Sequence, residues 1–212
     1  MRRLLRWWYQ RQAVRLDCEA ERIREGLLQE LFVVRRSLEL ALLSDRVDTK
    51  EAQQWLTQIE TLQQALESVM HRLSPPYLGD SLPLAMQHLL KHWQAEYPAV
   101  CLELNLPTDW YQEPIEQRRV ILTTLDEWLR MIMPQLQSEA VLHISLKQQA
   151  TSAQLNIQLT TPNVAELLSS NAILLNNLQQ FFQVLAEGKC YCQRHDLTVT
   201  WCYQWRSTIQ LK

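Results

Sequence analysis

"EGLLQELFVVRRSLELAL", residues 25–42, decides the fold. It holds no proline, and Leu27, Leu31, Val34, Leu38 and Ala41 step by four, three, four and three. That rhythm is a heptad seam, the mark of a helix that packs lengthwise against others. The same spacing carries the element over 13–43. "LSDRVDTKE" (43–51) interrupts it, and Asp48 or Thr49 suits the cap of a following helix. Trp55, Ile59, Leu62, Leu66, Val69 and Leu73 then repeat the four-three step. Two heptad helices joined by a short link form an antiparallel hairpin. A lone hairpin leaves one side of each seam bare, and pairing with a second copy into a four-helix bundle covers it. The expected dimer interface is therefore Leu27, Leu31, Val34 and Leu38 with Trp55, Ile59, Leu62, Leu66 and Val69.

Proline ends the second helix in "SPPYLGDSLP" (74–83), which sets the expected boundary between a hairpin domain at 1–76 and a second domain at 77–212. Beyond it a helix is expected around 81–96. "AVCLELNLP" (99–107) alternates, as a strand does. Residues 113–132 read as a helix with Pro114 in its first turn. "AVLHISLKQ" and "AQLNIQLTT" alternate again, a helix covers about 163–187, and "KCYCQRH" with "LTVTWCYQWRSTIQL" reads as a closing hairpin. The expected class is α+β: a helical hairpin, then an open sheet with helices on one face.

The 212 residues are 47% hydrophobic with a formal net charge of −2, which gives no general drive toward nucleic acid or membrane. No apolar run is long enough to span a bilayer. The start, "MRRLLRWWYQRQ", is basic and aromatic and suits contact with an anionic membrane surface. Five cysteines at scattered spacings fit reduced thiols in the cytoplasm better than a disulfide framework. Only three glycines occur, Gly26, Gly79 and Gly188, so no glycine-rich phosphate loop can be written.

Taken together, "EGLLQELFVVRRSLELAL", "HRLSPPYLGDSLPLAMQHLLKHWQAEYPAVCLELNLP", "ILTTLDEWLRMI", "LNIQLTT" and "LLNNLQQFFQVLAEGKCYC" resemble, in order and spacing, a sensor histidine kinase core over roughly residues 19–206. The resembled subclass reads E-L-H-D-G-L-L-Q in its first dimerisation helix. The resemblance implies a dimerisation hairpin followed by an ATP-binding domain, with a response-regulator receiver docking on the bundle. It also shows departures. The phosphoacceptor histidine is matched by Arg24, whose guanidinium is charged and not nucleophilic. The magnesium-holding asparagine is matched by Trp128, the glutamate before it by Thr124, the adenine-reading aspartate by Leu159, and the following glycine by Thr161. Such a chain is expected to be a pseudo-kinase: not an enzyme, without catalytic residues, cofactor or metal, and acting by binding a receiver or a true kinase. Glu21, Arg24 and Glu25 are the candidate partner contacts.

Other clusters invite chemistry. His71, near the end of the second helix, would be the acceptor if the chain were instead a phosphotransfer protein, and a scaffold role in assembly is a further alternative. His88 and His92 stand at i, i+4 without a third ligand at motif spacing. Cys190 and Cys192 share one strand face, expected opposite Val199 and Trp201, with Cys202 on the other side, which favours small core residues over a metal site. Of the eight tryptophans, Trp7 and Trp8 suit an exposed N-terminus, and Trp55 and Trp128 suit helix core positions.

Overall fold

The computed structural model describes residues 2–43, 49–110, 113–149 and 151–207. The chain divides into two compact units, one spanning 7–76 and the other 77–212 with residues 1–6.

The first unit is helical, and its first helix starts within the residues 1–6 that group with the other unit. α1 (Arg2–Arg22) runs through a six-residue π-helical segment (Ile23–Leu28) into α2 (Gln29–Leu43), and α3 (Thr49–Leu73) returns beside it. The first helix thus begins well before the expected residue 13. The π segment has a visible consequence. Ala13, Ala20 and Leu28 are buried at steps of seven and then eight, so one extra residue is absorbed where the π turn widens the helix. Asp48, one of the two expected caps of α3, lies outside the described residues.

Inside the hairpin, Ala20, Leu28 and Met70 are buried together, with Ile23, Leu66 and Leu73 packed against them. On α3 the inward positions are Ala52, Leu56, Ile59, Gln63, Leu66, Met70 and Leu73, themselves a four-three series. Arg35 on α2 bridges to Glu60 on α3 at 3.1 Å and to Glu39 on its own helix at 3.0 Å.

The second unit is the expected α+β layer. After α4 (Leu82–Glu96), β1 (Cys101–Asn105), α5 (Ile115–Ile132), β2 (Val141–Gln149), β3 (Ser152–Thr160), α6 (Val164–Ser170), α7 (Ala172–Leu185), β4 (Lys189–His195) and β5 (Thr198–Arg206) follow. The five strands lie in the order β1-β2-β3-β5-β4, with β1 parallel to β2 and every other pair antiparallel. Ser81 caps α4, its side chain accepting from the Leu84 backbone N–H at 3.3 Å. Pro114 stands at the N-cap of α5, one place before the first turn.

Alternation puts one sheet face in the core. Leu142, Ile144 and Leu146 of β2, Leu155, Ile157 and Leu159 of β3, and Val199, Trp201, Tyr203 and Trp205 of β5 are all buried. Helices α5 and α7 cover that face. Trp128 of α5 meets Trp201 edge-on at 5.0 Å, and Phe182 of α7 meets Tyr203 at 5.1 Å. The opposite face carries Gln154, Asn156, Gln158, Thr200 and other polar residues.

The expected single helix over 163–187 is two. Asn171 breaks it, and its side chain is held from afar: Nδ2 donates to Gln135 Oε1 at 3.0 Å and Gln135 Nε2 donates back at 3.2 Å. At the closing hairpin the faces of the cysteines are as expected, but the partners are shifted by two. Cys190 faces Tyr203, Cys192 faces Trp201, and Val199 faces Arg194. The loop is Asp196–Leu197, with Asp196 in the left-handed region at φ 52°, so the turn sits one residue later than "His195-Asp196". A shift of two conserves the faces, whereas a shift of one would have reversed them.

Candidate docking site on the hairpin

The nine seam residues of the hairpin do two jobs. Leu31, Leu38, Ile59, Leu66 and Val69 are half-buried, whereas Leu27, Val34, Trp55 and Leu62 are exposed. The exposed set recurs at steps of seven on each helix: Leu27 and Val34 on the first, Trp55 and Leu62 on the second. A four-three pattern therefore overlays two seams, one that closes the hairpin and one that faces outward. Trp55 is on the outward one and is not the core residue its spacing suggested, while Trp128 is fully buried.

Glu21, Arg24 and Glu25 are exposed in the turns that precede Leu27. Arg24 pairs with Glu21 one turn earlier, with both side chains about half exposed. Such a surface pair contributes at most about 1 kcal/mol and leaves both groups available. Gly26 sits in the π segment with open space around it, so nothing within the chain demands a glycine there. Its cost relative to alanine is about 1 kcal/mol.

In the second unit, the positions that correspond to the resembled phosphate machinery are core positions. Trp128 and Leu159 are fully buried, and Thr161 is 1% exposed. Thr124 is buried, and its hydroxyl donates to the Val120 carbonyl at 2.7 Å. The same unit holds a polar cluster that sequence patterning did not single out. Glu113 is buried, and its carboxylate accepts from the Trp110 indole at 2.9 and 3.0 Å and from the Trp205 indole at 3.3 Å. Arg118, also buried, donates to the carbonyls of Glu113, Leu78 and Gly79 at 2.8, 2.9 and 2.9 Å. Burial pushes the Glu113 carboxyl above the ordinary glutamate range, against the opposing pull of its hydrogen bonds and of Arg118. The cluster pins the start of α5 to the turn at 77–80.

The remaining candidates are dispersed. His92 approaches Glu96 at 4.0 Å and the His88 ring lies 5.6 Å from that of Tyr77. Among the described residues no group of three or more histidine, cysteine or acidic side chains is placed to hold a metal. The three strand cysteines are not uniformly core residues: Cys202 is buried, Cys190 half-buried and Cys192 exposed. Burial raises all three thiols, Cys190 to about 12. Cys202 and Tyr191 share Gln154, whose amide is in hydrogen-bond contact with both.

No protein-family model matches the sequence, and no curated protein matches it. Solved structures do match its fold. The histidine kinase domain of the Erythrobacter litoralis EL346 blue-light activated histidine kinase superposes with a TM-score of 0.52 at 9% identity, over 91% of this chain and 93% of that one. A longer structure of the same kinase gives 0.53 at 12% identity, over 87% of this chain and 60% of that one. The histidine kinase ThkA, crystallised in complex with the response regulator protein TrrA, matches at 0.44 and 9% identity, over 100% of this chain and 68% of that one. The chain has a histidine-kinase-like fold, helical hairpin included. That finding corrects one expectation. A chain lacking the resembled phosphate ligands was expected to be no enzyme, yet the fold it adopts is that of histidine kinase domains, which are enzymes. Among the described residues no helix is long and apolar enough to cross a membrane.

Proposed function

We propose that this chain is a cytoplasmic, histidine-kinase-like signalling module that pairs through its hairpin with a second copy and docks a response-regulator-type receiver on the paired helices. The observation that carries this reading is the second, outward seam of Leu27, Val34, Trp55 and Leu62, which the single hairpin leaves exposed. Large apolar side chains in register at steps of seven, on two neighbouring helices, complete a core when a second copy supplies the same strip by a twofold axis. Glu21, Arg24 and Glu25 precede that strip along the helix, next to a glycine whose open surroundings admit a close approach by another backbone. They form the polar rim through which a receiver is recognised. Docking acts by favouring one arrangement of the bundle over another.

The test is calorimetric titration of the full chain with the purified receiver domains of its source organism. Saturable binding to at least one receiver is expected, weakened at least tenfold by the pair Arg24→Glu and Glu25→Lys. Binding to none of them, or binding that this pair leaves unchanged, refutes the docking reading.

A further inference from the structure

The N-terminal part of α1 carries a surface that the docking reading does not use. Residues 2–16 hold five arginines and no acid, in a chain whose net charge is −2. Trp7, Arg11 and Val14 step by four and three along one helix face, and all three are exposed, Trp7 at 56% and Val14 at 63%. The Arg11 guanidinium lies over the Trp7 ring, 5.5 Å from its centroid. Leu5 and Leu16 are also exposed, on the opposite side of the helix.

We propose that this face of α1 binds an anionic lipid surface. Such a surface matches both halves of the chemistry. Arginines meet headgroup phosphates while their stems follow the apolar boundary, and tryptophan and valine enter the headgroup region. The two other occupants fit less well. A second copy laid along this stripe would set Arg11 against Arg11 with no acid within residues 2–16 of either helix to compensate. A nucleic acid would engage the arginines and leave Trp7 and Val14 without a role. The helix lies on the surface and does not cross it.

The experiment is co-sedimentation of the full chain with vesicles of phosphatidylcholine alone and of phosphatidylcholine with phosphatidylserine, at low and high salt. Retention on the serine-containing vesicles only, lost at high salt, is expected. Each arginine near an anionic surface accounts for about fivefold in affinity, so Arg11→Gln with Arg15→Gln weakens binding about 25-fold. Trp7→Ser with Val14→Ser, which leaves the charge intact, also weakens it. Circular dichroism and sedimentation of both variants confirm that helix content and self-association are unchanged, which separates this result from the fate of the docking reading. No retention on anionic vesicles overturns the proposal. So does equal retention on neutral ones, retention indifferent to both pairs of substitutions, or tight binding to duplex DNA at a salt concentration where vesicle binding is absent.

Discussion

Replacing Trp55 and Leu62 by glutamate attacks the outward seam while sparing the hairpin's own core. Leu62 is 50% and Trp55 46% exposed in the single chain, so about half of each side chain is still to be covered by a partner. Burying a whole leucine-sized side chain is worth about 1.5–3 kcal/mol, and half of one about 1 kcal/mol. A twofold dimer loses that contribution twice, so Leu62→Glu alone costs about 2 kcal/mol, or about thirtyfold in the dissociation constant. Adding Trp55→Glu brings the loss to about 4 kcal/mol, close to a thousandfold, before counting the charge brought into the interface. Sedimentation velocity over a concentration series reads this directly, and far-ultraviolet circular dichroism reports whether the helices persist. The expected result is a monomer with unchanged helix content. A double variant that sediments with the wild-type dissociation constant refutes the assignment of the seam. A variant that loses its helices shows instead that these side chains hold the hairpin itself.

Three further outcomes follow from the second unit. A methyl group at Gly188 would lie 2.5 Å from the Gln204 carbonyl and closer still to the buried Phe182 ring, so Gly188→Ala destabilises by about 1–3 kcal/mol. Thermal denaturation shows it as a lowered Tm, and an unchanged Tm contradicts the packing described. Because the Glu113 carboxyl is raised in the folded state, the unfolded chain ionises first as pH climbs. Stability therefore declines between the ordinary glutamate value and the raised folded one. Glu113→Gln removes that decline and costs hydrogen-bond strength to Trp110 and Trp205. Urea denaturation across acid pH tests this, and identical pH profiles for both proteins contradict it. Exposed Cys18 and Cys101 react with a thiol reagent at mildly alkaline pH well before Cys190, whose thiol is pushed up to about 12 by burial. Mass spectrometry of partly labelled protein identifies the order, and early labelling of Cys190 would be inconsistent with its burial.

Local patterns in the sequence made the fold legible, and long-range contacts hid the rest. The heptads at 27–41 and 55–73 announce the hairpin because helical spacing is a property of neighbouring residues. The same heptads could not say which leucines face inward, because two interleaved seams share one four-three rhythm. The strands of the second unit were readable from alternation, and the faces of Cys190, Cys192 and Cys202 with them. Their pairing partners depended on where the turn fell, which Asp196 settles by adopting a left-handed backbone. Asn171 splits one expected helix through a side-chain contact with Gln135, 36 residues away, and Trp205 meets Glu113 across 92 residues. The π segment gives no periodic signal of its own. Its trace is the extra residue between Ala20 and Leu28. The expectation of a non-enzyme rested on side chains at single positions such as Arg24 and Trp128, whereas the class of the chain is carried by its backbone fold.

The mass of the chain in solution tests the paired hairpin most directly. Light scattering on the eluted full chain, at a concentration well above that of the weakest stable dimers, is expected to give twice the 25.1 kDa of one chain. A single copy at 25.1 kDa throughout the concentration range would contradict the paired hairpin and, with it, the docking surface built on it.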